Sequence, residues 1–423
     1  MTPSAAGSAR PSYRQVLRNR EFRGLVIAQV TSELGDHIAR VALASLILKR
    51  TDSAFLAVLA FVVSFVPAVF GSALLGALAD RLPRKVLLLA CDLARAVVVG
   101  VIALVAVDST PIWVLLLLLL VAETFTAPFV AASRAVLPDV LPDARECLVG
   151  SGLMRVMFQV DQVLGILAAG IVIVLVGERA GLLLDVASFL VSFLVLAVTL
   201  RWRRASRRAP VEGDGRRSLL DDFREGWHSV FDNPALRALV LLGWGAAVFL
   251  VAPEAVALAY AREDGAGPAV GAALMASLPA GAALGALLVA RLDPMRQVGL
   301  IVPLAVMACA PLLLTSLAPP WEATLPLWFV AGLSQGFMVP LLTTVNLVSP
   351  AELRGRVNGL AGAGFSTITA VTFLLAGAMA DLASPAVAVT VAAVVGLALV
   401  GVAHRAWPTG ELRRVAGRLY SAE

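Results

Sequence analysis

The sequence predicts an all-α polytopic membrane protein: twelve transmembrane helices in two pseudo-symmetric six-helix halves. Three observations point there. Of the 423 residues, 59% are hydrophobic and only 15% are charged, and the mean hydropathy is +0.88; an average soluble domain is roughly 45–50% apolar and about 25% charged. The apolar residues gather into segments near the roughly 20 residues that a spanning helix needs. The lysines and arginines fall heavily on one side of the resulting topology. A soluble enzyme, a nucleic-acid binder and a disordered chain are all excluded by this composition.

Residues 1–21 are polar and Arg-rich, with no apolar core followed by a small-residue cleavage site, so they read as a cytoplasmic tail and not as a signal peptide. Apolar segments then follow at 22–49, 54–79, 86–107, 111–136, 147–176 and 180–200, the N-terminal bundle (22–200). After a polar linker, 201–235, six more follow at 236–261, 267–290, 298–317, 323–345, 357–381 and 384–404, the C-terminal bundle (236–404), with a cytoplasmic tail at 405–423. Their length and lack of period-two alternation favour helices over barrel strands. Residues 201–217 of the linker are basic and flexible, suited to anionic lipid headgroups. Residues 218–239 carry Leu219, Leu220, Phe223, Trp227, Val230 and Phe231 at helical spacing, which predicts an interfacial helix leading to Asn233–Pro234.

With the N-terminus inside, 27 Lys and Arg residues fall on the cytoplasmic side and 4 on the other. Both termini are therefore expected in the cytoplasm. The three cysteines, Cys91, Cys147 and Cys309, and the three histidines are scattered, so no disulfide framework and no metal site is expected. There is no GxxxxGK[ST], HExxH or GxSxG motif, so neither direct ATP use nor hydrolytic chemistry is indicated.

The loop after the second span reads GALADRLPRKVLLLACDLARA, 76–96. Its Gly76, Leu78, Asp80, Arg81, Arg84 and Lys85 resemble the signature loop of the major facilitator superfamily, with Pro83 where that family usually has Gly. The following Asp92 and Arg95, with LGDHIARVAL (34–43), PFVAASRAVLPDVLP (128–142) and PAELRGRVNGL (350–360), resemble the branch that includes macrolide and enterobactin (siderophore) exporters, drug:proton antiporters. In the last stretch Glu352, Arg354 and Arg356 form a second-half loop. The resemblance implies alternating access, a gating role for the signature loop, and a contact of Asp80 with the start of the eleventh helix.

Ionisable groups deep in a bilayer are expensive, so they mark candidate sites. Glu33, Asp36, His37 and Arg40 share one face of the first helix. Counting from Phe22, Asp36 lies about 21 Å in, past the midplane of a ~30 Å core. A partly desolvated carboxylate there suits a group that takes up a proton at one face and releases it at the other; the alternative is an internal ion pair that serves assembly alone. Asp36, Glu33, Asp161 and Glu123 are the proton-coupling candidates, and His37, Arg40, Arg155 and Gln335 the cavity candidates; Asp185 lies in the sixth span, and Glu254 follows Pro253 close to the outer end of the seventh, within snorkelling reach of the interface. Asp92 and Arg95 form an i,i+3 pair with a structural or gating role.

The expected function is proton-coupled export of a hydrophobic or cationic small molecule, such as a drug, macrolide or siderophore. The expected setting is a bacterial inner (plasma) membrane, with lipid and protons as partners, no cofactor beyond the proton gradient, no nucleic acid, and a functional monomer. A nutrient importer or uniporter keeps the fold and reverses the flux; a membrane enzyme or scaffold is the remaining alternative. The charge bias makes one direct prediction: epitope tags on either terminus or within 201–235 stay unlabelled in intact cells and become labelled after permeabilisation. Labelling from outside any intact cell would overturn the twelve-span topology.

Overall fold

The computed structural model describes residues 13–65, 82–203, 219–350, 353–405 and 407. Every regular element among them is helical. α1 (Tyr13–Arg18) and α2 (Arg20–Thr51) precede α3 (Ala54–Phe65). Then come α4 (Arg84–Val105), α5 (Ile112–Thr124), α6 (Thr126–Val140) and α7 (Ala144–Thr199). The remaining elements are α8 (Leu219–Phe231), α9 (Pro234–Glu263), α10 (Pro268–Val289), α11 (Pro294–Gly299), α12 (Ile301–Leu313), α13 (Trp321–Ser334), α14 (Met338–Val348), α15 (Arg354–Leu382) and α16 (Pro385–Arg405).

Eleven of the twelve predicted spans have a helical counterpart, and α3 covers the start of the second, whose residues 66–79 lie outside the described residues. α5 with α6 forms the fourth and α13 with α14 the tenth, the latter joined by a 3₁₀ turn at Gln335–Phe337. α7 holds 56 residues, roughly 84 Å if straight and far more than one bilayer crossing. It is two spans joined at Gly177, whose φ of 83° breaks the helix in a region that residues with a Cβ rarely enter. The interfacial helix of the linker is α8, where Trp227 and Phe231 stack with ring centres 4.1 Å apart. It stops where the sequence places its break: the Asn233 side chain accepts from the Ala235 and Leu236 amides, and Pro234 opens α9.

By contacts the chain forms two compact units, the first comprising residues 1–39, 66–165 and 179–207, the second residues 40–65, 166–178 and 208–423. In the first unit an apolar cluster that includes Phe22, Leu88, Leu141 and Leu196 fills one end. Around it, charges are matched to helix ends. Lys85 donates from Nζ to the carbonyls of Ala197 and Leu200, 2.7 Å each, at the C-terminus of α7. Arg84 donates to the Ala135 carbonyl at 2.6 Å and pairs with Asp139 near the end of α6. Glu21, in the first turn of α2, takes two hydrogen bonds from the Arg203 guanidinium, at 2.5 and 3.1 Å. Burial would raise its carboxyl above the ordinary value, but the bonds from Arg203 and from the Arg201 amide outweigh this and hold it below.

In the second unit, two GxxxG stripes lock together. A Cβ on Gly281 or Gly285 of α10 would lie 2.1 or 2.0 Å from the carbonyls of Phe329 and Leu333. A Cβ on Gly332 or Gly336 would in turn lie 2.1 or 2.5 Å from the carbonyls of Leu278 and Gly285. Such close backbone approach is what small-xxx-small stripes provide in bilayers, where burying apolar surface brings no gain.

The α2–α3 turn is clamped at both of its helix ends. Arg262, in the last turn of α9, donates to the Leu48 carbonyl at 2.6 Å and pairs with Asp52 at 2.9 Å. Asp381, near the end of α15, accepts from the Ala54 and Phe55 amides at 2.5 and 3.2 Å and from the Ser53 hydroxyl at 2.5 Å. The Leu56 amide goes to Ser53 Oγ and the Ala57 amide to the Ser53 carbonyl, so all four exposed donors of α3 are satisfied. A cation thus sits at a helix C-terminus and an anion at the next N-terminus. Asp381→Ala is expected to destabilise the detergent-solubilised protein by about 1–2 kcal/mol, the cost of an N-cap, and Asp381→Asn by less, because its amide oxygen still accepts. Thermal unfolding checks this; equal melting temperatures for wild type and Asp381→Ala would contradict it.

Candidate functional site

The first unit holds a buried polar core centred on Arg95 of α4, which is 2% exposed. Its Nη2 donates to Asp92 Oδ1 at 2.6 Å, one turn earlier on the same helix. The other Asp92 oxygen accepts from Ser192 Oγ at 2.6 Å. Nη1 faces Asp36 Oδ2 of α2 at 3.6 Å. The guanidinium carbon lies 4.5 Å from the ring centre of Phe129 and 4.4 Å from that of Phe189. A cation between two aromatic faces, neutralised on its edge by carboxylates, is a favourable way to keep a charge away from water.

The remaining acids gather nearby. Glu33, one turn before Asp36, accepts from Gln29 Nε2 at 2.9 Å, and Ser133 of α6 reaches Gln29 Oε1 at 3.4 Å. Asp161 of α7 is buried within electrostatic reach of Glu33 and Asp36, and its Oδ2 has no hydrogen-bond partner. One turn further on, Gly165 lets α7 approach α2: a Cβ there would lie 2.8 Å from the Cβ of His37. Asp185 and Ser188, in the second half of α7, close on Gly35 and bond to each other. Glu123 is buried at the end of α5, while Arg155 is exposed. The Nε of Arg95 and the hydroxyls of Ser32 and Thr126 are further buried polar atoms with no hydrogen-bond partner. Such orphaned groups are rare and mark places where water or a solute completes the bonding.

In the second unit, Arg40 lies within electrostatic reach of Glu254 on α9. Gln335 Oε1 and Thr369 Oγ1 are buried without a hydrogen-bond partner. Arg356, at the start of α15, pairs with Glu225 of α8 at 2.7 Å, and Arg354 is exposed. Gly76, Asp80, Arg81 and Glu352 lie outside the described residues. No cluster of His, Cys, Asp and Glu with metal-binding geometry occurs among the described residues.

Sequence reasoning placed the acids on the right helices but missed the partners of Arg95. It treated Asp92 and Arg95 as a self-contained pair, whereas Arg95 also meets Asp36. The aromatic walls, Phe129 and Phe189, carried no signal, since isolated phenylalanines in apolar spans look alike. Ser192 was equally silent.

The family model for the Major Facilitator Superfamily matches residues 25–347. The macrolide efflux protein A of Streptococcus pyogenes is 26% identical over 231 residues, 53% of this chain and 54% of that protein. The chain thus spans about half the length of this curated relative. The multidrug efflux pump Tap of Mycolicibacterium fortuitum is 25% identical over 367 residues, 85% of this chain and 89% of that protein. Among solved structures, the nucleoside transporter NupG superposes with a TM-score of 0.69 at 11% identity, covering 92% of this chain and 99% of its own. The peptide transporter POT bound to sulfate gives 0.67 at 13%, covering 96% and 98%. At these identities the structures report a shared fold.

The packing around Gly35 allows a test of how tightly this core is built. A Cβ there would lie 2.0 Å from Ser188 Oγ and 2.3 Å from Asp185 Oδ1. Gly35→Ala is expected to cost about 1–3 kcal/mol as overpacking. Adding Ser188→Gly is expected to recover part of it, giving a non-additive cycle for residues in contact. Additive effects of the two changes on detergent unfolding would mean that α2 and α7 do not meet as described.

Proposed function

The chain belongs to the Major Facilitator Superfamily, and from that premise we propose that it is a secondary active exporter, extruding hydrophobic or cationic small molecules in exchange for protons by alternating access. One observation carries the reading: Glu33, Asp36 and Asp161 lie together in the interior of the first unit, and the guanidinium near them, Arg95, is already engaged by Asp92. Carboxylates gathered in a low-dielectric interior are expensive, and they suit a site where protons or cations come and go. That is the requirement of a proton-coupled carrier, and a cluster of acids also suits cationic substrates. The efflux relatives support the outward direction. Gln335 and Thr369, with unbonded buried oxygens, are the cavity-facing candidates in the second unit.

In this reading the protein works as a monomer in a bacterial plasma membrane with both termini cytoplasmic, as the charge distribution favours. Asp36 is the principal proton-linked carboxylate, with Asp161, Glu33 and Glu123 around it. The signature loop gates the cytoplasmic side through Asp80.

The test has two stages. A toxicity panel in an efflux-deficient host identifies an exported compound, and inverted vesicles then report its uptake when the interior is acid. Asp36→Asn is expected to abolish gradient-driven uptake, at least tenfold, while the purified variant remains monodisperse. Concentrative uptake by Asp36→Asn would assign the proton to another carboxylate, and uptake of no compound by wild type would count against export itself.

A further inference from the structure

Several helix ends of the first unit meet at a corner rich in exposed arginine. α1 packs there through Val16, which is fully buried in the apolar cluster of that unit. Asn19 fixes the bend into α2: its Nδ2 donates to the Val140 carbonyl at 2.8 Å, and its Oδ1 accepts from the Glu21 and Phe22 amides at 2.9 and 3.3 Å. The residues that end and follow α7 run beside the start of α2. A Cβ on Gly24 would lie 2.0 Å from Thr199 Oγ1, and the Arg203 guanidinium and the Arg201 amide both donate to the Glu21 carboxylate. This framework leaves Arg14, Arg18, Arg20 and Arg23 exposed, and with them Arg201, whose side chain is 83% accessible.

Charge is not balanced at this corner. Residues 13–23, 84–85, 134–146 and 201–203 hold ten Lys and Arg against four Asp and Glu. Each of those acids is already engaged: Glu21 by Arg203, Asp139 by Arg84, Glu146 by the Gln15 side chain at 2.9 Å, and Asp143 by the Arg145 and Glu146 amides. Apolar surface adjoins the cations. Trp202 is 64% exposed, and before it α7 presents exposed Leu190, Leu194 and Val198 at successive four-residue steps, a track of about 12 Å along one helix face.

We propose that this corner binds an anionic phospholipid: Arg20, Arg23 and Arg201 hold the headgroup phosphate, Trp202 stands at the level of the glycerol, and an acyl chain lies along Val198, Leu194 and Leu190. The guanidinium fork matches phosphate oxygens, and an exposed tryptophan suits the boundary between headgroup and hydrocarbon. A zwitterionic lipid brings its own cation to a place that already has a surplus, so the anionic one is favoured. A free phosphate or an acidic peptide would use the arginines and leave the apolar track idle. The lipid would join the start of α2 to the end of α7, and it would do so for either direction of flux.

Native mass spectrometry of the delipidated full-length protein, titrated with phosphatidylglycerol or phosphatidylcholine, reads the first lipid bound. Phosphatidylglycerol is expected to bind about tenfold or more tighter. Arg201→Gln, which leaves the Glu21–Arg203 pair in place, is expected to weaken phosphatidylglycerol about fivefold and phosphatidylcholine little. Arg20→Gln/Arg23→Gln/Arg201→Gln is expected to erase the preference with an unchanged melting temperature; should it not fold, Arg201→Gln carries the test. Arg291→Gln/Arg296→Gln, at exposed arginines of the second unit, is expected to keep it. Equal binding of the two lipids by wild type would overturn the proposal, as would full preference in the folded triple variant. An equal loss in the second-unit variant would show that the preference follows net charge and not this corner. Displacement of phosphatidylglycerol by equimolar glycerol 3-phosphate or hexaglutamate would replace the lipid with a free anion or an acidic peptide.

Discussion

A guanidinium that cannot reach water has to be solvated by the protein. Even on permissive insertion scales, an arginine at mid-span costs about 2.5–3.5 kcal/mol. Arg95 meets that cost with two aromatic faces and two carboxylates drawn from four spans, its own included. The constraint reaches outward from there. It fixes the rotation of α4, which must present Asp92 and Arg95 inward together. It also fixes α2 and the second half of α7, whose Asp36, Phe189 and Ser192 complete the site. Small residues do the rest: Gly35 and Gly165 let α7 close on the polar face of α2 from its two halves. A polar core in a bilayer is costly unless every member has company, so this cluster specifies how its helices pack as well as what they can bind.

Much of the fold was legible because spanning a bilayer constrains sequence more tightly than solution does. Twenty apolar residues, a Pro after an Asn, and a GxxxG stripe each have a local meaning. Accordingly the helices and the break at Asn233–Pro234 could be read before any coordinates. The candidate site was legible as an inventory and not as a geometry. Counting ~1.5 Å per residue from the predicted starts put Asp36 at about 21 Å and Asp92 at about 9 Å, too far apart to suggest a shared partner. Two things closed the gap. Arg95 lies a turn deeper than Asp92, and an arginine side chain spans the remaining distance. Which face of each helix meets the other is a tertiary property, and no periodicity within one span encodes it.

Helix ends form a second theme. Lys85 and Arg262 bring cations to terminal carbonyls; Asp143, Asn233 and Asp381 bring oxygen acceptors to first-turn amides. At the boundary of a bilayer these groups meet neither full hydration nor a continuing helix, so a side chain of matching sign is the available remedy. The basic residues that count toward the expected topology thus also have individual structural work: Lys85 closes the C-terminus of α7, and Arg84 steadies the end of α6.

The α2–α3 turn adds a temporal consequence. Its two complements arrive late in the chain: Arg262 follows Leu48 by 214 residues and Asp381 follows Ala54 by 327. At the usual ribosomal pace of about 5–20 residues per second, Asp381 emerges roughly 15–65 s after the helix start it caps. The first hairpin must therefore enter the bilayer and wait with its tip uncomplemented. A nascent chain arrested before α15 would hold that hairpin unfastened on one side, and completion of the turn becomes one of the last events of assembly, although it lies near the beginning of the sequence.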